Sequence, residues 1–251
     1  MPKFKKSFHL SKIASAVLSK TTVFYLFLSY ALPLFGQRPN YKFNWTAESY
    51  KAEAAPFFNQ LTLQSGPILQ VGHGREGRTS LKATVSSGLS KATGTIPLFS
   101  GLYRFSENLW LGGLISGYRA GGDVIILSGY AAEILPVEPS EEGSSWSVEV
   151  SRRAVEGAED FNFKTVGVVL SRRINFHGAQ FYYGLGFAFF DVIFHGSSVA
   201  VEGIPQQLEG QVNLLSGGVE RSLGEHVVGL TARTSNKGAS VMIHLSKLIN
   251  E

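Results

Sequence analysis

The chain has 251 residues, 17% charged and 12% aromatic, with 28 Gly and no Cys. A typical soluble domain carries roughly 25% charge, and the lack of Cys excludes a disulfide framework and a Cys-ligated metal. The formal charge of +4 misleads: Lys3, Lys5, Lys6, Lys12 and Lys20 stand in the first 36 residues, which hold no acid, so 18 of the 23 basic residues are left to face 19 acidic ones, a net of −1. That balance implies no nucleic-acid partner.

Residues 1–36 read as a secretory signal peptide. A basic start leads into Thr21–Phe35, a continuous apolar core, and cleavage is expected after Gly36. An uncleaved anchor is the alternative, but fifteen residues interrupted by Pro33 are short against the roughly 20 of a spanning helix. No second apolar run approaches that length. Residues 37–79 form an N-terminal segment, periplasmic or plug-like. Within it Ala47–Ala55 predicts a short helix with Thr46 as N-cap, stopped by Pro56. Leu61–Val71 has strand character broken by Gly66 and Pro67. Gly72–Thr79 reads as a loop, without the Lys-Ser/Thr or Rossmann spacing of a phosphate site.

From residue 80 the habit changes to β-rich runs separated by turn chemistry. The runs are Leu81–Ser90, Thr95–Phe105, Leu109–Tyr118, Asp123–Leu135, Ser144–Arg153, Phe161–Ile174, Ala179–His195, Gly210–Leu223, His226–Ser235 and Ala239–Leu248. Lengths near ten suit tilted membrane-crossing strands, where soluble strands more often run about five or six. Ten crossings are expected, or eight if two early runs do not cross.

Ala179–His195 carries the strongest pattern. Phe181, Tyr183, Leu185, Phe187 and Phe189 fall on one face; Gly184, Gly186 and Ala188 fall on the other, between Tyr182 and Phe190. Large aromatics opposite glycine suit a curved wall with bulk outward and a narrow lumen inward. Trp146, Val148 and Val150 likewise oppose Ser147, Glu149 and Ser151, and Val228, Leu230, Val241 and Ile243 oppose Gly229, Arg233 and His244. With the apolar set outward, Glu149, Arg233 and His244 enter the interior. With it inward, the chain is an ordinary sandwich core. Periodicity leaves both open.

Aromatics gather near the run ends, at Tyr103 and Phe105, Trp110, Tyr118, Trp146, Phe161 and Phe163, and Phe181 and Tyr183, as interfacial girdles do. In this the chain resembles the small outer-membrane β-barrels of Gram-negative bacteria, the class of the OmpA transmembrane domain, OmpX and OmpW. The resemblance spans about residue 80 to the C-terminus and carries no family motif. It departs at the end, Leu248-Ile249-Asn250-Glu251, where such barrels often finish on an aromatic. It implies an all-β, antiparallel, up-and-down transmembrane barrel over residues 80–251. It also implies outer-membrane localisation, lipid and lipopolysaccharide contacts, insertion by the barrel-assembly machinery and a monomer.

Function is then expected to be structural, adhesive or concerned with small solutes, carried by extracellular loops and without catalysis. Gly196–Glu209 is the main loop, with Val199, Val201 and Ile204 as contact residues. The alternatives are a secreted β-sandwich or lipocalin-like binder, and a lipid A-modifying barrel. The latter rests on His244 and Ser246, which face the same way as a base and nucleophile would. Lipid A deacylases resemble this His-x-Ser pair but add a later Glu on a strand, and here only terminal Glu251 follows. Asp191 and His195 share a face, as Asp and His do near the rim of outer-membrane proteases, though a strand end explains them more simply. Arg152-Arg153 and Arg172-Arg173 are candidates for an anion-binding rim. His73, His177 and His226 stand apart, without metal spacing, and no cofactor is expected.

Overall fold

The computed structural model describes residues 39–43, 46–66, 79–88, 93–135, 144–195, 203–224 and 226–249. The signal peptide expected over residues 1–36, and Val199, Val201, His73 and Glu251, lie outside them. Ten strands follow one helix: α1 (Ala47–Gln64), β1 (Thr79–Gly88), β2 (Thr95–Ser106), β3 (Leu109–Ala120), β4 (Asp123–Ile134), β5 (Ser144–Glu156), β6 (Phe161–Phe176), β7 (Ala179–Phe194), β8 (Gln207–Leu223), β9 (His226–Ser235) and β10 (Gly238–Ile249).

Each strand pairs antiparallel with its sequence neighbours, and β1 pairs β10 from Thr79↔Ile249 to Gly88↔Ser240, closing the barrel. All ten expected runs are strands. Closure leaves no sheet edge, so every wall strand has its backbone partners on both sides. Tight turns follow from local chemistry: His177 (φ 49°) and Gly178 (φ 75°) both take the left-handed conformation that a two-residue hairpin needs.

The barrel has two unlike ends. One, the terminal rim, holds Thr79, Ile249 and the connections 107–108, 135–143, 177–178 and 224–225. The other, the plug rim, holds 89–94, 121–122, 157–160, 195–206 and 236–237. Outward strand faces are mostly apolar, and inward faces mix small and polar residues with buried aliphatics such as Ile96, Leu98, Ile125 and Leu127 and aromatics such as Phe161, Phe163 and Tyr182.

Helix α1 sits inside the plug rim, in contact with β10, β8, β1, β7 and β9. Thr46 caps it as expected: the Thr46 side chain accepts from Ser49 N at 3.2 Å and Ser49 Oγ accepts from Thr46 N at 2.9 Å. The helix does not stop at Pro56. It continues to Gln64, so Leu61–Gln64 is helical, not strand. Proline removes the bond to the Ala52 carbonyl, a cost of about 3 kcal/mol in a helix interior. Here Ala52 and Pro56 face solvent, where water can take the carbonyl, while Phe57, Phe58, Leu61 and Leu63 on the next turns are buried. Burying four such side chains at roughly 1.5–3 kcal/mol each outweighs the break.

Candidate functional site

The candidate site is the lumen, which has an aromatic part and an ionic part. Phe58 centres the first. Its ring meets Phe57, Phe161, Phe163 and Phe194 at centroid distances of 5.1, 5.1, 5.9 and 5.8 Å, and Phe43 and Phe190 at 6.0 and 6.4 Å. Two strands, β6 and β7, and the incoming segment thus converge on one helical side chain. The Tyr41 and Tyr118 hydroxyls lie 2.8 Å apart. Burial and the neighbouring Tyr118 push the Tyr41 pKa well above its ordinary value, so Tyr41 stays neutral. Phe161, Phe163 and Trp110 are therefore buried lumen residues and Tyr118 packs against that core, none of the four being a girdle residue as the sequence suggested. The plug helix gives Phe161 and Phe163 an apolar partner, Phe58, that a hollow barrel would lack.

The C-terminal turn of α1 is held to the wall by polar contacts. Gln60 Nε2 donates to the Ala239 carbonyl (2.7 Å) and Gln64 Nε2 to the Gly94 carbonyl (2.6 Å). Ser86 Oγ donates to Gln64 O (2.9 Å), while Arg233 Nη1 and Ser240 Oγ both donate to Leu63 O (3.2 and 3.3 Å). These satisfy carbonyls that a helix end leaves open.

Below the plug lies the ionic part. Glu220 Oε1 accepts from His244 Nε2 at 2.8 Å and stands 3.9 Å from Lys82 Nζ. Arg153 Nη2 donates to Ser151 Oγ (2.6 Å) and lies 3.5 Å from Glu149 Oε1. Arg173 pairs with Glu133, and the Tyr182 hydroxyl bonds that of Thr231. All these ionic groups are buried, and each is compensated by its partner, as buried charge requires. The sequence reading placed Glu149, Arg233 and His244 inward but missed Lys82, Glu133 and Glu220. Strand parity was the available signal, since Glu220 shares a face with Ser216 and Gly218, and Glu133 with Gly129 and Ala131.

Glycine makes two of these contacts possible. Gly229 lies between Glu220 and His244 in the ladder, and a Cβ there would fall on the imidazole. Gly218 likewise separates Tyr182 from Thr231, and a Cβ there would meet the tyrosine ring. Side chains from flanking strands meet over the bare strand between them.

The other sequence candidates scatter. His244 and Ser246 face inward, but no hydrogen bond joins them among the described residues, and His244 is engaged by Glu220 with only 2% of its surface exposed. Asp191 faces outward and accepts from Gln207 Nε2 (3.0 Å), while the His195 backbone N–H donates to Asp160 O (3.0 Å). The arginine doublets divide by parity and form no common rim: Arg153 and Arg173 point inward, whereas Arg152 reaches the Tyr130 hydroxyl at 3.5 Å and Arg172 lies 5.6 Å over the Trp146 ring. Ile204, expected as a loop contact, is buried in the core cluster. Among the described residues no His, Asp and Glu group could hold a metal ion.

Outside, the wall is greasy. Ile115, Leu185 and Leu215 expose 63, 60 and 61% of their surface, with Phe99, Tyr130, Phe189 and Leu245 beside them. A closed wall with an exposed apolar belt and paired charges within has its stable home in a bilayer. The soluble sandwich needed those same residues inside.

The chain is a small membrane-spanning β-barrel.

No protein-family model matches this barrel, and no curated protein matches it. Solved barrels do. The KdgM porin in complex with disordered oligogalacturonate is 8% identical, covering 68% of this chain and 99% of that one, with a TM-score of 0.39. Ail, the attachment invasion locus protein of Yersinia pestis, is 12% identical, covering 69% and 99%, with a TM-score of 0.31. The translocator domain of autotransporter NalP from Neisseria meningitidis is 11% identical, covering 81% and 96%, with a TM-score of 0.39. The likeness extends to the barrel fold and no further.

Proposed function

We propose that this barrel is a non-enzymatic, sealed outer-membrane anchor whose work is done at its plug rim, in a structural or adhesive role. The observation that supports this reading is Phe58, fully buried among rings from β6, β7 and the N-terminal segment. A ten-stranded barrel has a narrow interior. Filling its mouth with a helix leaves no aqueous path of the kind a general porin needs. The ionic part then stabilises the interior and does not select solutes. Catalysis on lipid at His244 and Ser246 is disfavoured by their inward register, since a lipid substrate meets the outer wall.

The test is conductance. The refolded mature chain in planar bilayers should show no steady open state, whereas Phe58→Ala should show frequent openings. Stable, porin-like conductance from the unaltered chain would overturn the sealed reading. A change in cellular lipid A that requires Ser246 would overturn the non-enzymatic one.

A further inference from the structure

The chain enters the barrel domain from one end and begins its wall at the other. The segment before α1 lies on the plug rim: Phe43 N–H donates to Asp160 Oδ2 (3.0 Å), Lys42 pairs with Glu159 (3.5 Å), and Asn40 and Lys42 lie over the turn at Gly121. The helix ends just inside the same rim, where Ser86 holds Gln64 and Gly66 sits buried against the Arg233 guanidinium. Thr79, where β1 starts, is paired with Ile249 on the terminal rim. Ser86 and Thr79 are seven residues apart along β1, about 23 Å at 3.3 Å per residue. Twelve residues, 67–78, join the two ends; fully extended, they reach about 40 Å.

The two rims also differ in what faces outward. On β6–β8 the outward positions nearest the plug rim are mostly polar, Asn162 and Lys164 on β6, Asp191 beside Ile193 on β7, and Gln207, Glu209, Gln211 and Asn213 on β8, so the apolar belt thins there. At the terminal rim three of four connections are two residues long. Outer-membrane barrels put short turns in the periplasm and project longer strands and loops outward. The plug rim therefore corresponds to the cell surface.

From these placements we infer that the N-terminal segment of this protein is displayed on the cell surface. This rests on the outer-membrane reading above. The barrel is then a self-displaying anchor. The helix at the plug rim fills the opening, and the ligands of such a surface are found outside the cell.

The absence of cysteine makes the test clean. Single variants Lys42→Cys, Lys237→Cys on the plug rim and His177→Cys on the terminal rim are made in the full chain with its signal peptide. Intact cells are then exposed to a membrane-impermeant maleimide, and Asn40→Cys serves as a second reporter should Lys42→Cys fold poorly. Outer-membrane fractionation and a gel shift on boiling are checked on each variant, so that loss of the barrel reading is seen separately. Labelling of residues 42 and 237 in intact cells, with residue 177 labelled only after lysis, is the expected result. Labelling of 237 without 42 or 40 overturns display while keeping the barrel. Labelling of 177 in place of 237 overturns the orientation.

Discussion

His244 and Glu220 meet at 2.8 Å across a strand that neither belongs to, over the bare backbone of Gly229. Lys82 completes the group from β1, so three strands on both sides of the barrel seam share one buried charge cluster. The cluster ties the closing contact, β1 to β10, to the wall beside it.

Gly229→Val should therefore act as a wedge. Its side chain would occupy the place of the imidazole and leave Glu220 with Lys82 alone. Breaking a buried pair from one side costs about 3–5 kcal/mol, and a loss of that order is expected in urea unfolding of the barrel in lipid vesicles. Glu220→Gln, which keeps the shape but not the charge, should cost less than Gly229→Val. Equal stability of Gly229→Val and the unaltered chain would show that the contact adds nothing.

Phe58→Ala removes the centre of the aromatic plug. Truncating a buried Phe costs about 3–5 kcal/mol, and the loss should fall on the helix rather than on the wall. The variant should keep its gel shift on boiling, while protease added at the plug rim cuts within residues 39–66 far faster. Unchanged proteolysis would mean that the rings do not hold the helix in place.

Two substitutions in α1 should have opposite signs. Thr46→Ala removes the cap and should loosen the helix by about 1 kcal/mol. Pro56→Ala restores a backbone donor at an exposed position and should tighten it by up to about 3 kcal/mol. Hydrogen exchange of the α1 amides reads both. A slower-exchanging Thr46→Ala, or a faster-exchanging Pro56→Ala, would contradict the account of why the helix outlasts its proline.

Leu185→Arg tests the belt. On a water-facing wall the change would be nearly neutral. On the lipid face near the bilayer middle it should cost about 2–4 kcal/mol, measured by equilibrium unfolding in vesicles. Gly217, an outward neighbour on β8, offers no counter-charge to soften that cost.

The sequence by itself determined the wall. Alternation in Ala179–Phe194, turn chemistry at His177-Gly178 and ten runs of membrane-crossing length follow from period two and local backbone preference, which neighbouring residues fully specify. It also put Glu149, Arg233 and His244 on the face opposite the apolar one. Only the tertiary structure decided what fills the barrel. Pro56 reads locally as a helix stop, and nothing near it in sequence reveals that Phe58 will meet Phe161, Phe163 and Phe194 more than a hundred residues away. That distant burial overrides the local break. Nor could spacing pair Glu220 with His244, because their contact depends on which strands become neighbours and on a glycine between them. Closure of the sheet brings them together, and closure is a property of the whole chain.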